Sequence, residues 1–343
     1  MITLELIELT QRLSGLCGPS GFEEQVSEYV ANYLHPFADE VYTDVLGSVT
    51  AYKRCGKPGA KTVLLDAHMD EIGLVTTGVK EGFVSFDTLG GVDQRMLPGR
   101  EVRVMTEPPL YGVIAAMPPH VMNQEEKGKS VPTDRLYIDV GLDPQRAEKL
   151  VPPGTPVVYV AGCEELGTAQ LCGKALDDRA CAAIIMTAFE QLCARELNVD
   201  VCCLVSTQEE VGHRGARVAA WNVQPHAALV VDVTHGRTPD APQVPCQCGK
   251  GPAVGIGPNM NRPMAMELLA LAEKLGIPCQ REAVPGGNSG TNAEAVQVSR
   301  TGVATTLISL PLKYMHTPVE TVCREDMAAC VKLITAYVEN MEV

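Results

Sequence analysis

Residues 62–70 read TVLLDAHMD, a short apolar run with one acid in it that ends in a His-x-Asp triplet. A continuous run of this length predicts a strand buried on both faces of a sheet, because a half-exposed strand would alternate apolar and polar. His68 and Asp70 then fall at the strand's carboxyl end, the edge where open α/β sheets bind ligands. The arrangement recurs along the chain. VCCLVSTQEE (201–210) sets Glu209 and Glu210 past a second apolar run, AALVVD (227–232) closes on Asp232, and ATTLISL (304–310) is followed by a short loop to His316. Helical patterns over 177–196, 214–221 and 262–275 alternate with these strands, and a closing helix is predicted over 320–341. That alternation predicts an α/β sheet with helices on its faces.

Ahead of the first buried strand, Ile2, Leu6, Leu9 and Leu13 share one helical face. Ser20 and Glu23 have capping-box spacing and predict a second helix running to about Leu34. Residues 41–51 read as a strand or hairpin broken at Gly47. The texture changes between 74 and 167. Short strand-like runs such as FVSFDTL (83–89), EVRVMT (101–106), LYGVIAA (110–116) and TPVVYV (155–160) are separated by Gly and Pro, with almost no helical periodicity. This interval predicts a small all-β barrel or sandwich inserted into an α/β domain made of 1–73 and 168–343. Inside it, MPPHVMNQEEKGKSVPTD (117–134) is a polar, Pro-flanked loop and a candidate flap.

A chain of 343 residues suits two domains. Its 28 basic and 42 acidic residues give a formal net charge of -14. That field argues against nucleic acid or an anionic membrane as a partner. The 13 cysteines are odd in number and irregularly spaced, as expected for buried thiols in a reducing cytoplasm. Cys246-Gln247-Cys248 lacks the second pair of a structural zinc site. The opening MITLELIELTQRL has no basic segment or cleavage site of a signal peptide.

The strand-end residues carry the chemistry. Each alone has an ordinary explanation: a loop histidine, a helix N-terminal acid at Asp177-Asp178, a solvated strand-end charge. Together they supply two imidazoles and enough carboxylates to hold two zinc ions and leave one carboxylate free to activate water, which predicts a two-metal hydrolase. Asp70, two residues from His68 in an extended segment, lies on the side where it can orient that ring. Adjacent acids such as Glu209 and Glu210 can divide the work, one as ligand and one as base. These residues do not choose between Glu209 and Glu210, or between Asp177 and Asp178. Thr234 and His235 are candidates to support the ligands. Gly-x-Ser-x-Gly, a phosphate-binding loop and His-Glu-x-x-His are all absent from the sequence.

The ordered set AHMDEIG (67–73), MPPHVM (117–122), ALDDR (175–179), TQEEVG (207–212), VDVTH (231–235) and YMHTPVE (314–320) resembles the M42 metallo-aminopeptidases, the glutamyl and tetrahedral aminopeptidase group, from end to end. The resemblance implies a mixed-sheet di-zinc α/β catalytic domain with an inserted β-rich dimerisation domain. It implies that Asp177 bridges the metals, that His68 and Asp232 complete one site, and that Glu210 and His316 complete the other. Glu209 becomes the general base, Asp70 supports His68, and Asp178 is left outside the coordination sphere. It further implies release of the first residue from short peptides with a free N-terminus, and assembly from dimers into a hollow dodecamer. Two divalent ions per subunit, zinc or alternatively cobalt or manganese, are the implied cofactors. Asn292 stands where many relatives have Asp, which puts substrate recognition there in question. Two competitors share the residues: a di-metal deacylase of N-acyl amino acids and a non-catalytic metal-binding homologue. The unligated acid implied at Glu209 argues against the latter.

Overall fold

The protein is described from a computed structural model, which covers residues 2–118, 120–122 and 129–341. From the amino end, α1 (Ile2–Gly15) and α2 (Glu24–Leu34) precede β1 (Glu40–Thr43), β2 (Val49–Lys53) and β3 (Thr62–His68). Next come β4 (Gly73–Lys80), β5 (Phe83–Leu89), β6 (Glu101–Val104), β7 (Leu110–Ala115), β8 (Tyr137–Asp139), α3 (Pro144–Leu150) and β9 (Pro156–Tyr159). They lead to β10 (Glu164–Leu166), β11 (Gln170–Gly173), α4 (Leu176–Cys193), β12 (Asp200–Ser206), α5 (Arg214–Val223) and β13 (Ala227–His235). The chain finishes with β14 (Ala253–Ile256), α6 (Arg262–Leu275), β15 (Gln280–Ala283), α7 (Ala293–Gln297), β16 (Ala304–Lys313), β17 (Glu320–Cys323) and α8 (Arg324–Glu339).

These elements form an eleven-stranded mixed sheet and a closed six-stranded barrel. β3 lies at the sheet's centre, parallel to β12 on one side and β13 on the other, and β13 is parallel to β16. Its apolar residues divide between two cores, as a doubly covered strand requires. Val63, Leu65 and Ala67 pack with α1, α2, α4, α6 and α8, while Leu64 packs with α5 and α7. The barrel runs β4-β5-β8-β7-β6-β9, from Gly73 to Tyr159, around Leu74, Phe86, Val104, Ile114 and Ile138. β10, also within the interval 74–167, pairs instead with β11 in the large sheet.

Local chemistry explains several boundaries. α6 begins where the Asn261 side chain accepts from the Met264 N–H at 3.1 Å and ends at Gly276, whose φ of 64° suits a glycine stop. Three expectations are corrected. Ser20 and Glu23 do not form a capping box, and α2 starts at Glu24 with no side-chain cap. The closing helix starts at Arg324, because residues 320–323 are buried at every position and pair as β17 between β16 and β11. α3 is a helix inside the interval read as almost wholly β. No helix among the described residues is long and apolar enough to cross a membrane.

Candidate metal centre

Parallel register brings the predicted residues to one edge. Ser206 pairs with His68 and Asp232 with Ser309, so β3, β12, β13 and β16 deliver their ends to the same side of the sheet. His68 Nε2 lies 3.2 Å from Asp177 Oδ1, and His316 Nε2 lies 3.3 Å from Asp177 Oδ2. One carboxylate thus stands between two imidazoles. Glu210 Oε1 is 3.4 Å from His316 Nε2, and Glu209 Oε2 is 3.9 Å from His68 Nε2. Among the described residues, two groups of donors each offer one ligand atom per residue, all within 4.8 Å of one another: His68, Asp177 and Glu210, and His68, Asp178 and Asp232. Asp178, which the resemblance leaves outside the coordination sphere, is therefore within reach. Its Oδ2 accepts from the His68 N–H at 3.2 Å, and its buried Oδ1 has no partner.

Backbone hydrogen bonds hold these side chains in place. Asp70 accepts from the N–H groups of Glu209 (2.9 Å) and Glu210 (3.1 Å) and from Ser20 Oγ (2.6 Å). Its Oδ1 is also 3.3 Å from His68 Nδ1. Burial alone would raise the Asp70 pKa, but His68, Ser20 and the Glu209 N–H hold it below the ordinary carboxylate range. Ser20 thus supports the site where a helix cap was expected. Glu23, the other half of that expected box, accepts from the Gln208 N–H at 3.1 Å. Burial pushes its pKa up to about 7.

Glu320 is a site residue to which the sequence assigned no role. Its two oxygens accept from the N–H of Asp177 (3.0 Å) and of His316 (2.8 Å), fixing two of the candidate ligands with one buried carboxylate. The only hint was an acid four residues after His316. The barrel side contributes as well. His316 Nδ1 is 2.8 Å from Gly91 O, and a Cβ at Gly91 would meet that ring at 2.6 Å. Two other expectations changed. Thr234 donates to Glu282 rather than to a candidate ligand. Asn292 is buried away from the cavity wall, its Nδ2 donating to Ser206 Oγ at 2.9 Å. His120 is exposed on the loop 117–134, and that loop's residues 119 and 123–128 lie outside the described residues, so the flap expectation falls there.

The centre carries more acid than the protein neutralises. No Lys or Arg among the described residues lines its cavity of about 550 Å³. Burial pushes Asp178, Asp232 and Glu320 well above the ordinary carboxylate range, and Glu210 up to about 7. Burial would lower His316, but hydrogen bonds with Asp177 and Glu210 win and hold it at about 11. The reciprocal bonds from His316 and His68 overcome burial at Asp177 and pull it below the ordinary range. A buried cluster of this composition needs either bound protons or added cations. Two imidazoles with several carboxylates are the donor set of zinc, cobalt or manganese. The residues present fit a divalent-cation site. The pair Cys246 and Cys248 takes no part, and neither candidate group among the described residues contains a cysteine.

The chain and its fold are similar to known proteins. The sequence profile described as M42 glutamyl aminopeptidase matches residues 47–333. The chain is 34% identical to a lysyl aminopeptidase of Pyrococcus furiosus, over 98% of this chain and 97% of the relative. Its structure superposes on an aminopeptidase from the archaeon Desulfurococcus kamchatkensis with a TM-score of 0.91 at 33% identity, covering 99% of this chain and 96% of the other. The TET1 peptidase of Pyrococcus horikoshii, which can assemble into a tetrahedron or a large octahedral shell, matches with a TM-score of 0.86 at 33% identity, covering 98% and 100%.

Proposed function

The chain belongs to the M42 glutamyl aminopeptidase family, and from that premise we propose that it is a metal-dependent aminopeptidase that removes the first residue of short peptides. The observation that carries this reading is the Asp177 carboxylate set between His68 Nε2 and His316 Nε2, with Glu209 and Glu210 beside it. His68, Asp177 and Asp232 would hold one divalent cation, and Asp177, Glu210 and His316 the other, zinc being the first candidate and cobalt the second. Bound cations supply positive charge that acidifies water and polarises the scissile carbonyl. Glu209 accepts the proton of the attacking water on a carboxylate oxygen and returns it to the departing amine. Asp70 holds the Glu209-Glu210 turn through both N–H groups and orients His68, so that base and ligands keep a common geometry. Asp178 stays beside them as the acceptor of the His68 N–H.

Assembly from dimers, through the barrel of residues 73–159, into a homo-oligomer as large as a dodecamer belongs to the same proposal. The assembly of the TET1 peptidase supports it. A cytoplasmic location is supported by the free state of all the cysteines.

The test is a paired assay on protein stripped with a chelator and reloaded with zinc or cobalt. The substrates are short peptides with free or acetylated N-termini. Metal-dependent release of the first residue from the free set alone is expected. Turnover of the acetylated set would point to a deacylase, and silence on both sets with two metals bound would remove the enzyme reading. Asp70→Asn is expected to lower metal affinity or turnover by about 10- to 100-fold, the usual cost of losing a carboxylate that orients a ligand. Titration of metal binding alongside kcat will show which of the two carries the loss. The reading does not choose the first residue. The family is described by glutamate and the Pyrococcus furiosus relative by lysine, so this chain's own cavity must decide.

A further inference from the structure

Among the described residues, five carboxylates line the cavity of the metal centre: Asp177, Glu209, Glu210, Asp232 and Glu282. The first four have roles in the proposed chemistry. Glu282 has none, and its surroundings are different. It lies on β15, where Gln280 and Glu282 are half-buried and Arg281 and Ala283 are exposed. The alternation of a strand turns Glu282 inward and sends Arg281 the other way. Thr234, two residues beyond Asp232 on β13, donates its hydroxyl to Glu282 Oε1. The other oxygen, Oε2, is buried and has no hydrogen-bond partner. Its cavity neighbours Ser289, Gly290 and Thr291 are uncharged, and no Lys or Arg among the described residues lines the cavity.

A buried carboxylate oxygen without a donor carries an uncompensated desolvation cost. The oxygen belongs to a residue that lines the cavity. With Asp177, Glu210 and Asp232 serving cations and Glu209 serving proton transfer, Glu282 is the one cavity carboxylate left to meet a ligand. We propose that Glu282 is the specificity residue of this site and that it selects peptides whose first residue carries a cationic side chain, lysine or arginine. The inference rests on the aminopeptidase reading above. An ammonium or guanidinium brings the donor that Oε2 lacks and forms a charge-assisted bond. A leucine side chain leaves the oxygen unpartnered and further desolvated. A glutamate side chain brings like charges together. Discrimination of this kind arises when a site's polar group goes unpaired with the wrong substrate.

Glu282 serving the peptide's free α-amine instead is the competing arrangement, and the two separate by substrate. The experiment measures kcat/KM of the zinc-loaded wild type and Glu282→Gln on dipeptides beginning with Lys, Arg, Leu, Met and Glu. Gln keeps the size and an acceptor for Thr234 but removes the charge. The wild type is expected to favour Lys and Arg, and the Lys-to-Leu ratio is expected to fall by about 10- to 100-fold in the variant, the effect of losing one hydrogen bond to a charged group. A second measurement does not depend on turnover of the lysyl substrate. The inhibition constant of free L-lysine against the Leu dipeptide should rise by a similar factor, while that of L-norleucine should not. An equal loss on all five dipeptides would assign Glu282 to the α-amine and overturn the proposal. So would an unchanged ratio, or a wild type that prefers Leu or Glu. A wild type with two metals bound that cleaves none of the five would overturn the aminopeptidase reading, and this proposal with it.

Discussion

Replacing Glu209 by Gln is expected to lower kcat by about 10²–10⁴-fold while leaving the fold and the metal content in place. The substitution keeps the side chain's volume and its main-chain anchor, the N–H donated to Asp70 Oδ1 at 2.9 Å. It removes the negative charge and with it the capacity to take a proton. Glu209 stands 3.9 Å from His68 Nε2 through one oxygen and 3.0 Å from His213 Nε2 through the other. The Glu209 carboxylate in turn holds the His213 pKa above its ordinary value. The check is a single-turnover rate measured beside metal content by mass spectrometry. Loss of rate together with loss of metal would make Glu209 a ligand instead of the base. An unchanged rate would transfer the base role to another group.

The second large effect concerns stability. Glu71→Ala is expected to cost about 3–5 kcal/mol, the usual penalty when one partner of a buried ion pair is removed and its mates stay charged. Glu71 receives Lys174 Nζ at 2.7 and 2.9 Å, Arg179 Nη2 at 3.2 Å and the Gly18 N–H at 3.1 Å. Arg179 continues the network into the carbonyls of Leu13, Leu16, Gly18 and Met69. The cluster thereby ties the exit of β3 to the loop between α1 and α2 and to the start of α4, where Asp177 sits.

Burial already lowers the Lys174 pKa, and Glu71 is the chief opposing influence. Without Glu71 that pKa falls further below its unfolded value. The unfolded state then binds the extra proton between the two values, so stability of the variant rises with pH across that window. The gap between variant and wild type should therefore narrow as pH approaches the ordinary lysine range. Urea unfolding at neutral pH and again near pH 9.5 reads both effects. A gap that is small, or that widens with pH, would contradict this account.

Much of the architecture was legible because burial leaves a period in the sequence. The doubly buried run at 62–67 marked the central strand, and residues 262–275 carried the helical period of α6. The stretches that misled were those in which local pattern and tertiary setting disagreed. Residues 320–323 continue an apolar pattern into α8 but are captured as β17 by strands on both sides. Ser20 and Glu23 have the spacing of a cap, but Asp70 and the Gln208 N–H are better partners once the chain is folded.

The sequence alone determined that His68, Glu209, Glu210 and Asp232 stand at or just past the ends of apolar runs, because a charge beside such a run is a local fact. Which oxygen meets which ring was decided only by tertiary structure. Asp177 lies between His68 and His316, Glu320 holds the main chain of two candidate ligands, and Glu282, with one unpartnered oxygen, lines the same cavity. Those meetings join residues up to 248 positions apart (His68 to His316). They depend on strand register and helix placement to within an ångström, and a one-dimensional pattern of polarity carries no record of such distances.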